Sequence, residues 1–198
     1  MFTGIVEAIG TLAEVKATGG GYRVRIHTPL ATELKLGDSL AVNGVCLTII
    51  LIDGDHVLAD VGPETARVTN FGGLQRGQSV NLERPLRFDG RVDGHFVLGH
   101  VDGVGSVEDV RPEAESHWVT IGFPPGLAPY FIRKGSVAVD GVSLTVAGLG
   151  ERQFDIQVIP FTWQSTTLKL LRTGDKVNLE CDVLGKYAAR AMELGTQK

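Results

Sequence analysis

The chain has 198 residues, 43% hydrophobic and 21% charged, with a formal net charge of -4, an ordinary balance for a globular protein long enough to bury a core. It has no block of like charge and no basic stripe, which argues against nucleic acid or an anionic membrane as partner. Nothing approaches the roughly 18 consecutive apolar residues of a membrane span, so the expectation is a soluble protein.

The opening MFTGIVEAIG lacks the basic start and long apolar run of a signal peptide, and the expected location is the cytoplasm. The Gly19-Gly20-Gly21 run is a turn signal, and Tyr22-Arg23-Val24-Arg25-Ile26-His27 alternates apolar and charged residues as a half-buried strand does. Gly54-Asp55 marks a further turn, and a short helical turn is expected over residues 64–71. The pattern then starts again. His117-Trp118-Val119-Thr120-Ile121 alternates in the same way, and residues 162–171 form the second helical turn.

This return is a duplication. Ala41-Val42-Asn43-Gly44-Val45-Cys46-Leu47-Thr48 recurs as Ala138-Val139-Asp140-Gly141-Val142-Ser143-Leu144-Thr145, at an offset of 97 that holds from residue 39 to 83 with 17 identities in 45 positions. Unrelated segments share roughly 6–7% by composition alone. Upstream the offset is 95, pairing Gly4-Ile5-Val6-Glu7-Ala8-Ile9-Gly10 with Gly99-His100-Val101-Asp102-Gly103-Val104-Gly105. About six short strands per copy, rich in Val, Ile and Thr and punctuated by glycine, are expected to close into a barrel. The expected domains are a barrel over 1–95, a second over 96–183, and a C-terminal helix over 184–198. In that helix Leu184, Tyr187, Ala188, Ala191 and Leu194 form an apolar stripe. It lies outside the repeat and suits an oligomer contact or packing on the barrel.

Cys46 and Cys181 form no CxxC pair, and the five histidines form no i, i+4 ligand pair. No metal and no cofactor are therefore expected. A P-loop and a strand-led GxGxxG are also missing.

The opening MFTGIV, the boxes NGVCLT and DGVSLT, the junction GHFVLGHVDG and the closing VNLECDVLGKYAAR are similar to the riboflavin synthase family over essentially the whole chain. The resemblance implies an all-β fold of two tandem six-stranded Greek-key β-barrels plus a C-terminal α-helix that holds a homotrimer together. The implied reaction is a dismutation of two molecules of 6,7-dimethyl-8-ribityllumazine. One gives up four carbons and becomes 5-amino-6-(D-ribitylamino)uracil, and the other becomes riboflavin, with no metal or coenzyme. The substrate is the implied small-molecule partner, and lumazine synthase is a candidate protein partner. Two like substrates need two like pockets, in the family one from each of two neighbouring subunits. Holding both in register is worth up to roughly 7–11 kcal/mol of the barrier.

An asymmetric reaction on a duplicated scaffold needs side chains that differ between the copies. Cys46 stands opposite Ser143, Asn43 opposite Asp140, Gly37 opposite Lys134, Ile5 opposite His100 and Pro85 opposite Asp182. By resemblance, Cys46, His100, Lys134, Asp140, Ser143 and Asp182 occupy the family's functional positions, and Phe2 matches an aromatic that lies against a bound ring. Ser143, or a water it orients, is expected to act at C7 of one lumazine. Cys46 is expected to contact the other, while Asp182, His100 and Lys134 manage protons and charge. Plain structural readings stand beside these. A lone Cys is a small hydrophobe, a histidine is commonly packed or superficial, Lys134 before Gly135 suits a solvated turn, and Asn43 and Asp140 before glycine suit turns. His27, His56, His95 and His117 receive only the structural reading.

For substrate binding the resemblance carries over Gly4-Ile5-Val6, Cys46-Leu47-Thr48, Asp60-Val61-Gly62-Pro63-Glu64-Thr65, Gly99-His100-Val101, Lys134, Ser143-Leu144-Thr145 and Val158-Ile159-Pro160-Phe161-Thr162-Trp163. Strand-edge amides and carbonyls suit the rim of a pteridine, and Thr48, Thr65, Thr145 and Thr162 offer hydroxyls. Ala66, Trp163 and Phe161 depart from the family pattern and bear on ribityl contacts in the second pocket. Two other readings compete. A non-catalytic lumazine- or riboflavin-binding protein of the same fold typically loses reacting residues from one half, whereas here both halves keep them. A flavin-dependent reductase needs a nicotinamide domain, and the sequence has no glycine-rich strand-to-helix turn for one.

Overall fold

A computed structural model describes residues 1–196. The first copy holds β1 (Ala8–Thr18), β2 (Gly21–His27), β3 (Ser39–Val42), β4 (Val45–Asp53), β5 (His56–Val61) and β6 (Ser79–Glu83). They are hydrogen-bonded in the order β1-β2-β5-β4-β3-β6, and β6 closes on β1. The second copy repeats this order around its own closed barrel with β7 (Gly103–Glu113), β8 (Ser116–Gly122), β9 (Ser136–Val139), β10 (Val142–Leu149), β11 (Gln153–Val158) and β12 (Lys176–Cys181). In each, three hairpin-connected strands return to lie beside the second strand, the Greek-key arrangement. The expected all-β fold with two six-stranded barrels and a C-terminal helix is what forms.

Period-two alternation decides what lies inside. On β2, Val24 and Ile26 are fully buried while Arg23 and Arg25 face out. Leu12, Leu40 and Leu82 join them to fill the first barrel, and Val119, Ile121, Ile156 and Leu179 fill the second. The barrel interiors are thus packed with side chains, and a ligand must sit on an outer wall. α1 (Pro63–Val68) with a 3-10 turn at Asn70–Gly73, and α2 (Pro160–Ser165) with one at Thr167–Leu170, lie where helical turns were expected. Further 3-10 turns at Pro29–Glu33 and Pro125–Tyr130 are too short to leave a periodic signal in sequence.

α3 (Val183–Thr196) begins where the Asp182 carboxylate accepts the Leu184 N–H at 3.0 Å, an N-cap. It leans on the Pro125–Tyr130 turn, with Gly185 against the Tyr130 carbonyl. From the expected stripe, Leu184, Tyr187 and Leu194 remain exposed, as does Met192. Positions 197 and 198 of the expected helix lie outside the described residues.

The barrels meet about an approximate two-fold relation. Asn43-Gly44 and Asp140-Gly141 are two-residue hairpin loops with positive φ at all four residues (46°, 77°, 44° and 78°), as a type I′ turn requires. The two glycines abut, backbone to backbone. Around them Asn81 donates to the Asp140 carbonyl and Asn178 to the Asn43 carbonyl, each at 2.9 Å. The amide oxygens of Asn81 and Asn178 accept from Thr167 N–H and Asn70 N–H, each at 2.8 Å.

Candidate functional site

The boxes that mark the repeat lie on the outer barrel walls. On β4, Val45, Leu47 and Ile49 point inward while Cys46 and Thr48 point out. On β10, Val142 and Val146 are buried while Ser143 is half-buried and Thr145 exposed. Each wall is completed by a loop that belongs to the other barrel. Cys46 N–H donates to the Gly99 carbonyl at 2.9 Å, and Ser143 N–H donates to the Gly4 carbonyl at 2.8 Å. Val101 packs with the first core and Val6 with the second. The expected binding stretches therefore sort into two crossed half-sites. One joins residues 46–48 and 60–65 with 99–101, and the other joins 143–145 and 158–163 with 4–6.

Both crossing loops turn through a left-handed glycine, Gly4 at φ 77° and Gly99 at φ 79°. A Cβ on Gly4 would lie 2.6 Å from Ser143 Cβ, and one on Gly99 would lie 2.5 Å from Cys46 Cβ. Only glycine allows this approach.

The half-site around Ser143 contains a residue given only a structural reading from sequence. Ser143 Oγ lies 2.7 Å from His95 Nδ1. His95 is buried, and its Nε2 has no hydrogen-bond partner among the described residues. Burial pushes the imidazole pKa below its usual value, while the charge of Asp182 pulls it back. A neutral imidazole beside a serine hydroxyl can take its proton, and a carboxylate near the ring favours the cation that results. His95 escaped the comparison of copies because its mate at offset 95 falls before the first residue. Its spacing of five from His100 in GHFVLGH was the only available signal.

The remaining candidates divide. His100 is exposed, and its backbone N–H is held by Glu180 at 3.0 Å. Lys134 is exposed on a turn at φ 68° where its repeat mate is Gly37 at φ 86°, so the lysine holds a backbone conformation that glycine adopts without strain. Asp60 is paired with Arg23 through two bonds of 2.7 and 2.9 Å, and Glu64 with Arg67. Trp163 lies flat on His117, with centroids 3.9 Å apart and planes at 4°, and Phe161 is exposed. Cys181 is buried, and burial pushes its thiol up to about 12, which makes it inert.

Phe2 and Asp140 are both buried where the barrels meet. Phe2 is fully buried between the barrels with Ala41, Val97 and Ala138, and packs against Cys46. Asp140 sits in the inter-barrel turn, where its Oδ1 accepts the Asn178 N–H at 2.8 Å. Burial raises its pKa from 3.8 to about 7, and the Asn178 bond opposes the shift. The folded state therefore keeps a proton that the unfolded chain has lost, so stability falls as pH rises from about 4 towards 7. Asp140→Asn, which restores the residue of the other copy, removes that titration. The variant is expected to gain on the order of 1–4 kcal/mol over the parent between pH 4 and pH 8. Thermal denaturation at both pH values checks this, and an equal shift at each would remove the role.

Comparison with known proteins was consistent with the doubled site. The lumazine binding domain family model matches residues 3–85 and 98–182. A riboflavin synthase of Mycobacterium bovis is 45% identical over 200 residues, covering 97% of this chain and 98% of that protein. One of Bacillus amyloliquefaciens is 41% identical over 191 residues, covering 96% and 89%. Among solved structures, LumP complexed with 6,7-dimethyl-8-(1'-D-ribityl) lumazine superposes with a TM-score of 0.84 at 26% identity, covering 91% of this chain and 99% of LumP.

Proposed function

Because the chain belongs to the lumazine binding domain family and carries that domain twice, we propose that its two half-sites hold two molecules of 6,7-dimethyl-8-ribityllumazine and catalyse the reaction of a riboflavin synthase. It is a transferase of riboflavin synthesis. Four carbons pass from one lumazine to the other, giving riboflavin and 5-amino-6-(D-ribitylamino)uracil. The exchange is balanced between two identical molecules and needs no external oxidant. The observation that carries the reading is the pair of crossed half-sites, alike in backbone and unlike at Cys46 and Ser143.

Each half-site is an open wall, and its opposite wall comes from a second copy of the chain. The exposed apolar residues of α3 supply the contact, giving the homotrimer. In the Ser143 half-site, His95 takes the hydroxyl proton as Ser143, or a water it orients, adds at the lumazine C7. Asp182 steadies the imidazolium. In the other half-site Cys46 lies beside the second lumazine, whose acidic C7 methyl gives up a proton managed by His100, while Lys134, bonded through its N–H to Val146 on the Ser143 strand, manages charge at the first. The protein works in the cytoplasm, and lumazine synthase is a candidate partner because the lumazine it forms is the substrate used here.

The test is direct. Purified protein mixed with 6,7-dimethyl-8-ribityllumazine is expected to form riboflavin and the ribitylaminouracil in equal amounts. Ligand fluorescence that persists with no riboflavin formed would support the competing binding protein, a reading favoured by the likeness to LumP. Sedimentation equilibrium is expected to give three times the mass of one chain, and a monomer at working concentration would refute the shared-wall arrangement.

A further inference from the structure

Two carboxylates at matching positions of the repeat are buried, and among the described residues neither forms a salt bridge, the nearest positive charge acting on Glu180 being that of Lys186. Glu83 at the end of β6 is 5% exposed, and Glu180 on β12 is 2% exposed. One oxygen of Glu83 accepts the Thr3 N–H at 2.6 Å and the Thr3 hydroxyl at 2.8 Å, and the other accepts the Gly4 N–H at 2.9 Å. Glu180 accepts the Leu98 N–H at 2.7 Å and the Gly99 and His100 N–H groups at 3.0 Å each. Successive N–H groups converging about a left-handed glycine make an anion nest, and here the protein fills each nest with its own carboxylate. Burial raises the pKa of both carboxyl groups, opposed by the loop N–H bonds and, at Glu180, also by the charge of Lys186.

Each nest is one end of a short relay. The glycine whose N–H is held by Glu180 passes its carbonyl to Cys46, in the other barrel. The glycine held by Glu83 passes its carbonyl to Ser143, again in the other barrel. Among the described residues neither carboxylate bonds to Cys46 or Ser143 directly.

We propose that Glu83 and Glu180 are positioning residues that act across the barrel interface, Glu180 setting the Cys46 and His100 half-site and Glu83 setting the Ser143 half-site. A buried carboxylate is costly unless its bonds are fully used. An amide in its place has only one acceptor oxygen, so one loop N–H faces an NH₂ group and the loop is released at that point. The proposal rests on the function given above, and its test separates the two.

The experiment compares Glu180→Gln with Glu83→Gln in the full chain, reading the alkylation rate of Cys46 by iodoacetamide, a measurement independent of turnover. Cys181 is buried and serves as the silent thiol. Glu180→Gln, in the barrel that does not contain Cys46, is expected to change the Cys46 rate several-fold, while Glu83→Gln, in the barrel that does contain it, leaves the rate as it was. Each variant is expected to lower kcat by roughly 10- to 100-fold with a smaller change in KM, since a misplaced wall costs orientation. Should Glu83→Gln fail to fold, Thr3→Val removes only the hydroxyl bond to Glu83 and is expected to lower kcat in the same direction without changing the Cys46 rate. Equal effects of both glutamine variants on Cys46, or none from either, would overturn the proposal. Absence of riboflavin formation by the unaltered chain would overturn the functional reading and leave the alkylation result to judge the positioning alone.

Discussion

Ser143→Ala is expected to lower kcat by about 100- to 1000-fold, with lumazine still bound in both half-sites. The hydroxyl lies 2.7 Å from a buried imidazole, and losing a positioned nucleophile or the base that serves it removes an effect of roughly 10²–10⁴. His95→Gln is expected to cost a comparable factor. The double variant should be little worse than either single one, because groups that act as a unit are strongly non-additive. The acid limb of the rate profile belongs to this pair. Burial lowers the His95 pKa, so turnover in the unaltered chain should persist to a pH below the ordinary histidine value before it falls, and that limb should vanish in His95→Gln. Steady-state kinetics across pH, beside a binding titration with lumazine, read all of this. Undiminished turnover in Ser143→Ala would remove the serine and its histidine from the chemistry together.

The second large effect concerns stability. Gly44→Ala places a Cβ 2.7 Å from the backbone nitrogen of Gly141, at φ 77°. The obstacle is another main chain and not the tip of a flexible side chain, and four asparagine bonds hold the two hairpins in place around it. The left-handed backbone alone costs an alanine about 1–2 kcal/mol, and the collision should bring the total to about 3–5 kcal/mol, the range reserved for named steric or packing faults. Gly141→Ala should match it, since a Cβ there meets the Gly44 nitrogen at the same 2.7 Å. Gly54→Ala is the control. It also has a positive φ, 60°, but open space around it, and should show the backbone part alone. Chemical denaturation of the three variants decides the matter, and equal losses would deny the close approach.

The fold was legible because a repeat is read by comparison of the chain with itself, with strand propensity needed only to say what each copy forms. Matching positions such as Val80-Asn81-Leu82-Glu83 and Val177-Asn178-Leu179-Glu180 fell on matching strands. The helical turns at 64–71 and 162–171 were legible from the same register. The crossing of residues 4–6 and 99–101 onto the opposite barrels was not, because nothing in local sequence says which of two like walls a loop will choose. His95 was hidden for a different reason, having no mate in the first copy. Asp140 illustrates the converse. A charged residue facing a neutral one across the repeat suggested chemistry, and the neighbouring glycine suggested a turn. The turn is what the backbone shows, with the carboxyl buried at the meeting of the barrels. Trp163 stacks on His117, a contact between α2 and β8 that sequence spacing did not predict.

The crossed loops also set an order of events during synthesis. A chain emerging from the ribosome presents its first barrel well before its second, yet Thr3 and Gly4 are held by Glu83, 80 and 79 positions later, and Gly4 then waits for Ser143. The loop at 98–100 waits in turn for Glu180, and the Asn178 bond to Asn43 spans 135 positions. Contacts of such separation form late, after the local hairpins. Both half-sites are therefore completed only when the last strand, β12, closes the second barrel.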